Sequence, residues 1–396
     1  MRIYLDHNAG APLRPEVRGA IARFSEADEA NPAAVHRSGQ RARRALEEAR
    51  ARVARLIGAA AREIVFTSGG TESNNLAIRG VAGAESARRR IVSSAIEHSS
   101  ILAPLEYLAV RGFEIVLIAP DRDGRVAPAT VAAALDSDTA LVTMGLANAE
   151  VGTIQDVTAM AEEIARAGAL FHIDAAQAAG RILIRVGELR CDLLTISAHK
   201  LGAPAGIGGL YVRAGVALAP AILGGPQEAG MRGGTPNLLG ALAFGVAAEA
   251  VSARLDEESM RSAALAEQLL ERLGAVIPNL RLNGSALHKI PNTLNLTFPG
   301  VLGESMLIAL DLEGIEVSMG SACAAGAVEP SHVLLAMGLS RDEARSSLRL
   351  SLGWSTTAAE IDRAAEIIAR VWRRVRAAEP LTAAPATPAA VAEVVR

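Results

Sequence analysis

Between residues 64 and 212, short apolar runs alternate with helical stretches, and no other feature limits the possible folds so tightly. The runs at 64–67, 91–96, 114–119, 139–146, 170–174, 193–197 and 209–212 each have the length of a strand. Helical patterns over 72–80, 99–110, 131–135 and 157–167 lie between the first five. The alternation predicts an α/β architecture, a doubly wound and mostly parallel sheet with helices on its faces. Upstream, Ala42, Leu46, Ala49, Val53 and Leu56 recur at helical spacing and predict a helix over 36–57, stopped by Gly58. After Pro236 the texture changes. Residues 238–273 read as one or two long Ala/Leu/Glu-rich helices leading into a smaller α+β part. That part has strands at 292–298, 315–318 and 346–350, and helices at 304–312 and 357–376. From Ala377 onward the chain is Ala/Pro-rich and weakly patterned.

A length of 396 residues allows a large core and predicts two or three domains. Half the residues are hydrophobic but only 3% are aromatic, so the apolar mass is Ala, Leu, Val and Ile, suited to tight helix-on-sheet packing. A net charge of −3 argues against a nucleic-acid or membrane-surface partner, and the runs Arg41–Arg44 and Arg88–Arg90 read as solvated faces. The two cysteines, Cys191 and Cys323, favour a reduced compartment. Residues 1–6 lack a signal-peptide core, and no apolar stretch uninterrupted by charge or Gly is long enough to span a bilayer. The expectation is a soluble, cytoplasmic protein.

Two of the strands end in charge. Leu170-Phe-His-Ile-Asp174 closes on a carboxylate, and the run from Cys191 closes on His199-Lys200. Open α/β sheets bind ligands at the carboxyl ends of their strands, so both groups are delivered to the expected mouth. An amine there can hold an aldehyde cofactor as a Schiff base, and a carboxylate can keep the cofactor's ring nitrogen protonated. Ser68-Gly-Gly70-Thr71-Glu-Ser73 follows a strand and opens a helix, which suits a phosphate cradle; an ordinary strand-to-helix turn capped by Thr is the equal alternative. Arg232-Gly-Gly-Thr235 is a second Gly-rich turn that could close a phosphate site or be a plain turn.

His98 stands at another strand-to-helix mouth, where an imidazole can stack on a pyridine and shuttle protons, or simply cap the helix. Cys323 lies in Gly320-Ser-Ala-Cys-Ala-Ala-Gly326, among residues too small to bury a thiol, which favours an accessible nucleophile. Cys191, beside a strand, reads as structural. Arg349 lies in an alternating strand and could offer its fork to a substrate carboxylate or form a surface ion pair.

Together these segments resemble the cysteine desulfurases of the NifS/IscS group, within the class V aminotransferases and the fold-type-I pyridoxal-phosphate-dependent transferases. Ser-Gly-Gly-Thr-Glu-Ser73, Asp-Ala-Ala-Gln177, Ser-Ala-His-Lys200, Arg-Gly-Gly-Thr235 and Gly-Ser-Ala-Cys323 occur in that family's order, and the likeness runs from Tyr4 to about Arg376. The resemblance implies a large domain over 15–255 with a mostly parallel seven-stranded sheet flanked by helices. A smaller α+β domain would comprise 1–14 and 256–376 and carry the cysteine loop, leaving 377–396 as a loose tail. It implies pyridoxal 5'-phosphate bound to Lys200. Its phosphate would be held by Gly70, Thr71, Ser197, His199 and, from the second subunit of a homodimer, Thr235. Asp174 would face the ring nitrogen, Gln177 the phenolic oxygen, and His98 the ring's face. Asn31 and Arg349 would bind the carboxylate of L-cysteine, with Lys200 and His98 moving protons.

The implied reaction gives L-alanine and a persulfide on Cys323, destined for a sulfur acceptor or an iron–sulfur scaffold protein. The resemblance implies no intrinsic metal, although Cys323 could transiently ligate a cluster shared with such a scaffold. The sequence departs from the family at Ala149, where a second Asn is usual, at Gly10-Ala11 in place of paired threonines, and at Ala205 in place of a lysine. Two other readings keep most of these residues: a selenocysteine lyase or aminotransferase for another small amino acid, and a sulfur-relay scaffold without catalysis.

Overall fold

The computed structural model describes residues 2–25, 30–84, 87–319 and 329–378. In chain order, β1 (Ile3–Tyr4) is followed by α1 (Pro15–Ser25), α2 (Arg37–Leu56) and β2 (Ile64–Thr67). Then come α3 (Gly70–Gly83), β3 (Arg90–Ser94), α4 (Ser99–Ala109), β4 (Glu114–Ile118) and α5 (Pro128–Ala134). The middle of the chain supplies β5 (Thr139–Gly145), α6 (Val157–Arg166), β6 (Leu170–Asp174), the single turn α7 (Val186–Leu189), β7 (Leu193–Ser197) and β8 (Gly208–Val212). The last third comprises α8 (Leu238–Gly274), β9 (Arg281–Asn283), β10 (Thr293–Thr297), α9 (Gly303–Leu312) and β11 (Ile315–Glu316). It closes with α10 (His332–Ala336), α11 (Arg341–Arg345), β12 (Ser347–Ser351) and α12 (Ala358–Ala378).

Seven strands form one sheet in the order β2-β8-β7-β6-β5-β3-β4. Every pairing from β7 to β4 is parallel, and β8 alone runs against its two neighbours. Strands β5 to β7 are buried on both faces, apart from Gly145, Leu170 and Asp174, as the largely apolar runs require. One core lies between this sheet and α2, α6 and α8, and a second lies under α3 and α4. A third core is separate from both. It joins the antiparallel sheet β12-β10-β9 and the β1–β11 pair to α9, α12 and the second half of α8.

Helix boundaries follow local chemistry. His36 caps α2 by accepting from the Gly39 N–H (3.2 Å), and Gly58, with φ of +68°, turns the chain out of it. Residues 238–274 are one continuous helix. Its first half is long and apolar enough to cross a bilayer, but its Ala and Gly face packs along α2, and Ala241, Phe244, Ala247, Ala248 and Val251 are buried. The Arg88–Arg90 run is not a bare solvated face. Arg88 donates to the carbonyls of Thr139 (3.1 Å) and Gly168 (2.5 Å), while Arg90 pairs with Glu114 (2.9 Å) and Asp136 (2.7 Å).

Candidate active site

The parallel register sets Asp174, the last residue of β6, against Thr195 of β7. Two residues beyond Thr195, β7 ends at Ser197 and turns through Ala198–Lys200. The lysine and the aspartate therefore leave the same edge of the sheet. The start of α3 joins them there: a Cβ on Gly70 would lie 3.5 Å from Ser197 Cβ and 3.8 Å from Thr195 Cγ2. Close approach is possible because β8 begins with glycine. A Cβ on Gly208 would fall 2.6 Å from the Gly69 carbonyl carbon. No side chain caps α3, and Ser197 Oγ lies 2.9 Å from His199 Nδ1. An uncapped helix N-terminus flanked by hydroxyls is a site for an anion.

Asp174 is held from two sides. Its Oδ1 accepts from the Ala176 N–H (2.9 Å) and its Oδ2 from Asn74 Nδ2 (2.8 Å). Beneath it, His172 sits between Thr143 Oγ1 (2.8 Å) and Thr195 Oγ1 (3.0 Å), where full burial pushes the imidazole down to about 4 and keeps it neutral. Lys200 Nζ donates to the carbonyls of Asn8 and Ala9 in the N-terminal segment. Burial first, then the charges of Arg181 and Arg349, pulls this amine down to about 7. A lysine so perturbed at a strand-end cleft has the properties of a nucleophile. Burial and the neighbouring Lys200 charge likewise lower His199 to about 4.

Gln177 is buried, donating Nε2 to the Asn8 carbonyl (3.0 Å) and accepting at Oε1 from Arg181 Nη1 (2.9 Å). His98 caps α4, with Nδ1 accepting from the Ser100 N–H (3.1 Å), and it also stands within electrostatic reach of Asp174 and Lys200. Both roles that its position allowed are thus compatible.

The opposite wall comes from the small sheet. Arg349, in the middle of β12, is buried; its Nη2 donates to Asp6 Oδ1 (2.7 Å) and its Nη1 to the Ala149 carbonyl (3.2 Å). Its Nε is buried with no hydrogen-bond partner, an arrangement that suits an incoming acceptor. Ala149 contributes only that carbonyl, which also accepts from Asn8 Nδ2 (3.1 Å). Behind it Glu150 accepts from Ser331 (2.5 Å), and burial raises its carboxyl. Glu97, beside His98, accepts from Ser94 (2.5 Å) and is pushed up to about 7 by burial.

Two expected residues are described and not joined to this group. Asn31 is exposed and accepts from the Ala33 N–H (2.9 Å) in a local turn. Thr235 is exposed, on a loop tied to α3 by an ion pair between Arg232 and Glu72 (2.9 Å). Cys323 lies outside the described residues. Cys191 is buried and its thiol pushed up to about 12 by that burial, an inert packing residue. Sequence reasoning missed Asn8, Asn74, Glu97, Ser100 and Arg181. Arg181 could have been found one turn beyond Gln177, whereas Asn74 and Ser100 carry no such spacing signal.

An anion cradle, a carboxylate, an amine lowered by burial and a buried arginine fork fit a phosphorylated aromatic aldehyde and an amino-acid carboxylate. A sheet of this topology with this strand-end site is that of a fold-type-I transferase. The chain belongs to the class-V aminotransferase family, whose model matches residues 3–364. It is 41% identical over 379 residues to a cysteine desulfurase IscS of Dictyoglomus turgidum (strain DSM 6724 / Z-1310), covering 96% of each chain. It is 38% identical over 381 residues to a cysteine desulfurase IscS of Methanosarcina thermophila, covering 96% of this chain and 94% of that one. Among solved structures it superposes on a NifS-like protein of Rickettsia africae ESF-5 with a TM-score of 0.85 at 33% identity, covering 94% of this chain and all of that one. SspA in complex with cysteine gives a TM-score of 0.80 at 33% identity, over 89% and 99% of the two chains.

Proposed function

We propose that this chain is a cysteine desulfurase that uses pyridoxal 5'-phosphate to convert L-cysteine to L-alanine and leaves the sulfur on Cys323. The observation that carries this reading is the lysine itself. The chain holds 40 basic residues, of which only Lys200 and Lys289 are lysines. Arginine serves almost every other cationic role here, but a guanidinium cannot form an imine, so an amine at the strand-end mouth answers a chemical demand. The relatives' shared name supports the same reading.

Lys200 would hold the cofactor covalently through Nζ. Gly70, Thr71, Ser197 and His199 would hold its phosphate, with Thr235 supplied from the second subunit of a homodimer. Asp174 would face the ring nitrogen, Gln177 the phenolic oxygen and His98 the ring's face. When bound, the cofactor supplies an electron sink that weakens the substrate's Cα–H and Cβ–S bonds. Arg349, oriented by Asp6 and the Ala149 carbonyl, presents Nε to the substrate carboxylate, with Asn31 as a second donor. An amine brought down to about 7 has an appreciable uncharged fraction near neutrality and can take a proton from Cα and return one to carbon. The Cys323 thiolate then attacks the substrate sulfur. The S–S bond forms as Cβ–S breaks, the electron pair stays with Cβ, which is protonated, and the transferred sulfur is left oxidised as a persulfide.

A scaffold for iron–sulfur assembly or another thiol acceptor would then receive it. We read residues 15–255 as the cofactor lobe and 1–14 with 256–376 as the second; the separate core under the small sheet supports that division. The experiment is a paired assay of L-alanine and sulfide from L-cysteine with a reductant present. Cys323→Ala should keep the bound chromophore and lose sulfide release by at least about 100-fold. Sulfide release at the parent rate from that variant would overturn the assignment.

A further inference from the structure

One hydrogen-bonded chain runs from the strand-end carboxylate to the ring-facing histidine through two residues that the chemistry above does not use. Asn74, buried on α3, donates from Nδ2 both to Asp174 Oδ2 (2.8 Å) and to Ser100 Oγ (2.8 Å). Ser100, buried in the first turn of α4, places its Oγ 2.8 Å from His98 Nδ1 and donates its backbone N–H to the same nitrogen at 3.1 Å.

Donor chemistry fixes the direction of every link. A carboxylate only accepts, so the amino end of Asn74 must face Asp174, and the second N–H of that amino group is spent on Ser100. Ser100 Oγ therefore accepts from Asn74 and has its own proton free for His98. A backbone N–H can only donate. Two donors thus converge on Nδ1, which must carry the lone pair, and the ring proton belongs on Nε2. The orphan atom agrees with this order. Asn74 Oδ1 is buried with no hydrogen-bond partner, an unfavourable state that rotating the amide would exchange for two oxygens facing each other at Asp174.

We propose that Asn74 and Ser100 are positioning residues that lock His98 as the Nε2–H tautomer, with Asp174 setting the direction of the chain. His98 then presents a hydrogen-bond donor, not a lone pair, through Nε2. Because losing that proton from a neutral ring would leave an imidazolate, the Cα proton goes to Lys200 and His98 orients rather than accepts it. This deepens the desulfurase reading and rests on it for the direction of proton transfer; the tautomer itself does not. The groups facing His98 are Asp174, which favours its protonation, and Lys200 and His332, which oppose it along with partial burial of the ring, the largest influence. Protonating Nδ1 would also break both bonds from Ser100, so the chain and the surroundings act in the same direction.

The test is nitrogen-15 NMR of the full-length protein labelled at histidine, with and without pyridoxal 5'-phosphate, the His98 signals being assigned by their loss in His98→Gln. The parent should show the Nε2–H pattern without cofactor. Ser100→Ala keeps the backbone donor but loses the hydroxyl, and should show a measurable Nδ1–H population and a pKa for His98 higher by about 0.5–1 unit. Asn74→Leu should move both readouts in the same direction by less. An Nδ1–H ring in the parent overturns the proposal, as does a pure Nε2–H pattern with unmoved titration in Ser100→Ala. The cofactor-free arm separates this outcome from failure of the desulfurase reading, which would leave the tautomer pattern intact.

Discussion

Asp174 and Lys200 reach the site from adjacent parallel strands one β-α unit apart, whereas Asp6 and Arg349 pair across 343 positions of sequence. On the first wall Asp174 ends one apolar strand and Lys200 closes the turn after the next, and the register of β6 and β7 aims both at one edge. On the second wall the arginine is buried within β12, and its orientation depends on an N-terminal segment that also supplies the carbonyls facing Lys200. Local pattern therefore builds the wall proposed to hold the cofactor, and topology builds the one proposed to hold the substrate. The first should tolerate damage to the second, and that independence can be broken by experiment.

The largest effect is expected at Arg349. Arg349→Ala removes the fork and leaves Asp6 without its partner, so kcat/KM for L-cysteine should fall by about 100-fold, mostly through KM, as a lost charge-assisted contact allows. The visible cofactor band should survive. If the band disappears together with substrate binding, the two walls are one unit and the comparison fails.

A smaller effect sharpens the cofactor side. Glu97 is pushed up to about 7 from 4.5 by burial. Between those values the folded protein holds a proton that the unfolded chain has released, so stability falls as pH rises through that window and stays lowered above it. Glu97→Gln removes the charge and should flatten this slope, with a relative gain on the order of 1–3 kcal/mol at pH 8 and none at pH 4. Thermal unfolding of parent and variant at both pH values measures it. Equal shifts at the two values would mean that the carboxyl is not held neutral.

The same contrast explains what was legible in the sequence. The runs ending at Asp174 and at Ser197 fall on the observed strands, because a strand buried on both faces must be continuously apolar. Reversal of β8 was invisible, since an apolar run of that length reads the same in either direction. Helix α1 was missed although Pro15 opens it and Val17, Ile21 and Phe24 follow at helical spacing. Lys200, Asp174 and His98 could be named because each ends or follows a strand. Asn74 and Ser100 could not, because a buried amide and hydroxyl on two helices carry no spacing signal and gain meaning only when folding brings α3 against α4. Asp6 and Arg349 are a stronger case: nothing in either segment specifies the other.

Everything on the cofactor side depends on which amine carries the aldehyde, and the chain offers two lysines. Borohydride reduction of the protein loaded with pyridoxal 5'-phosphate, followed by peptide mass mapping, reads that out directly. The pyridoxyl mass is expected on the peptide containing Lys200, and none in Lys200→Ala. The label on Lys289, or on no lysine at all, would contradict it.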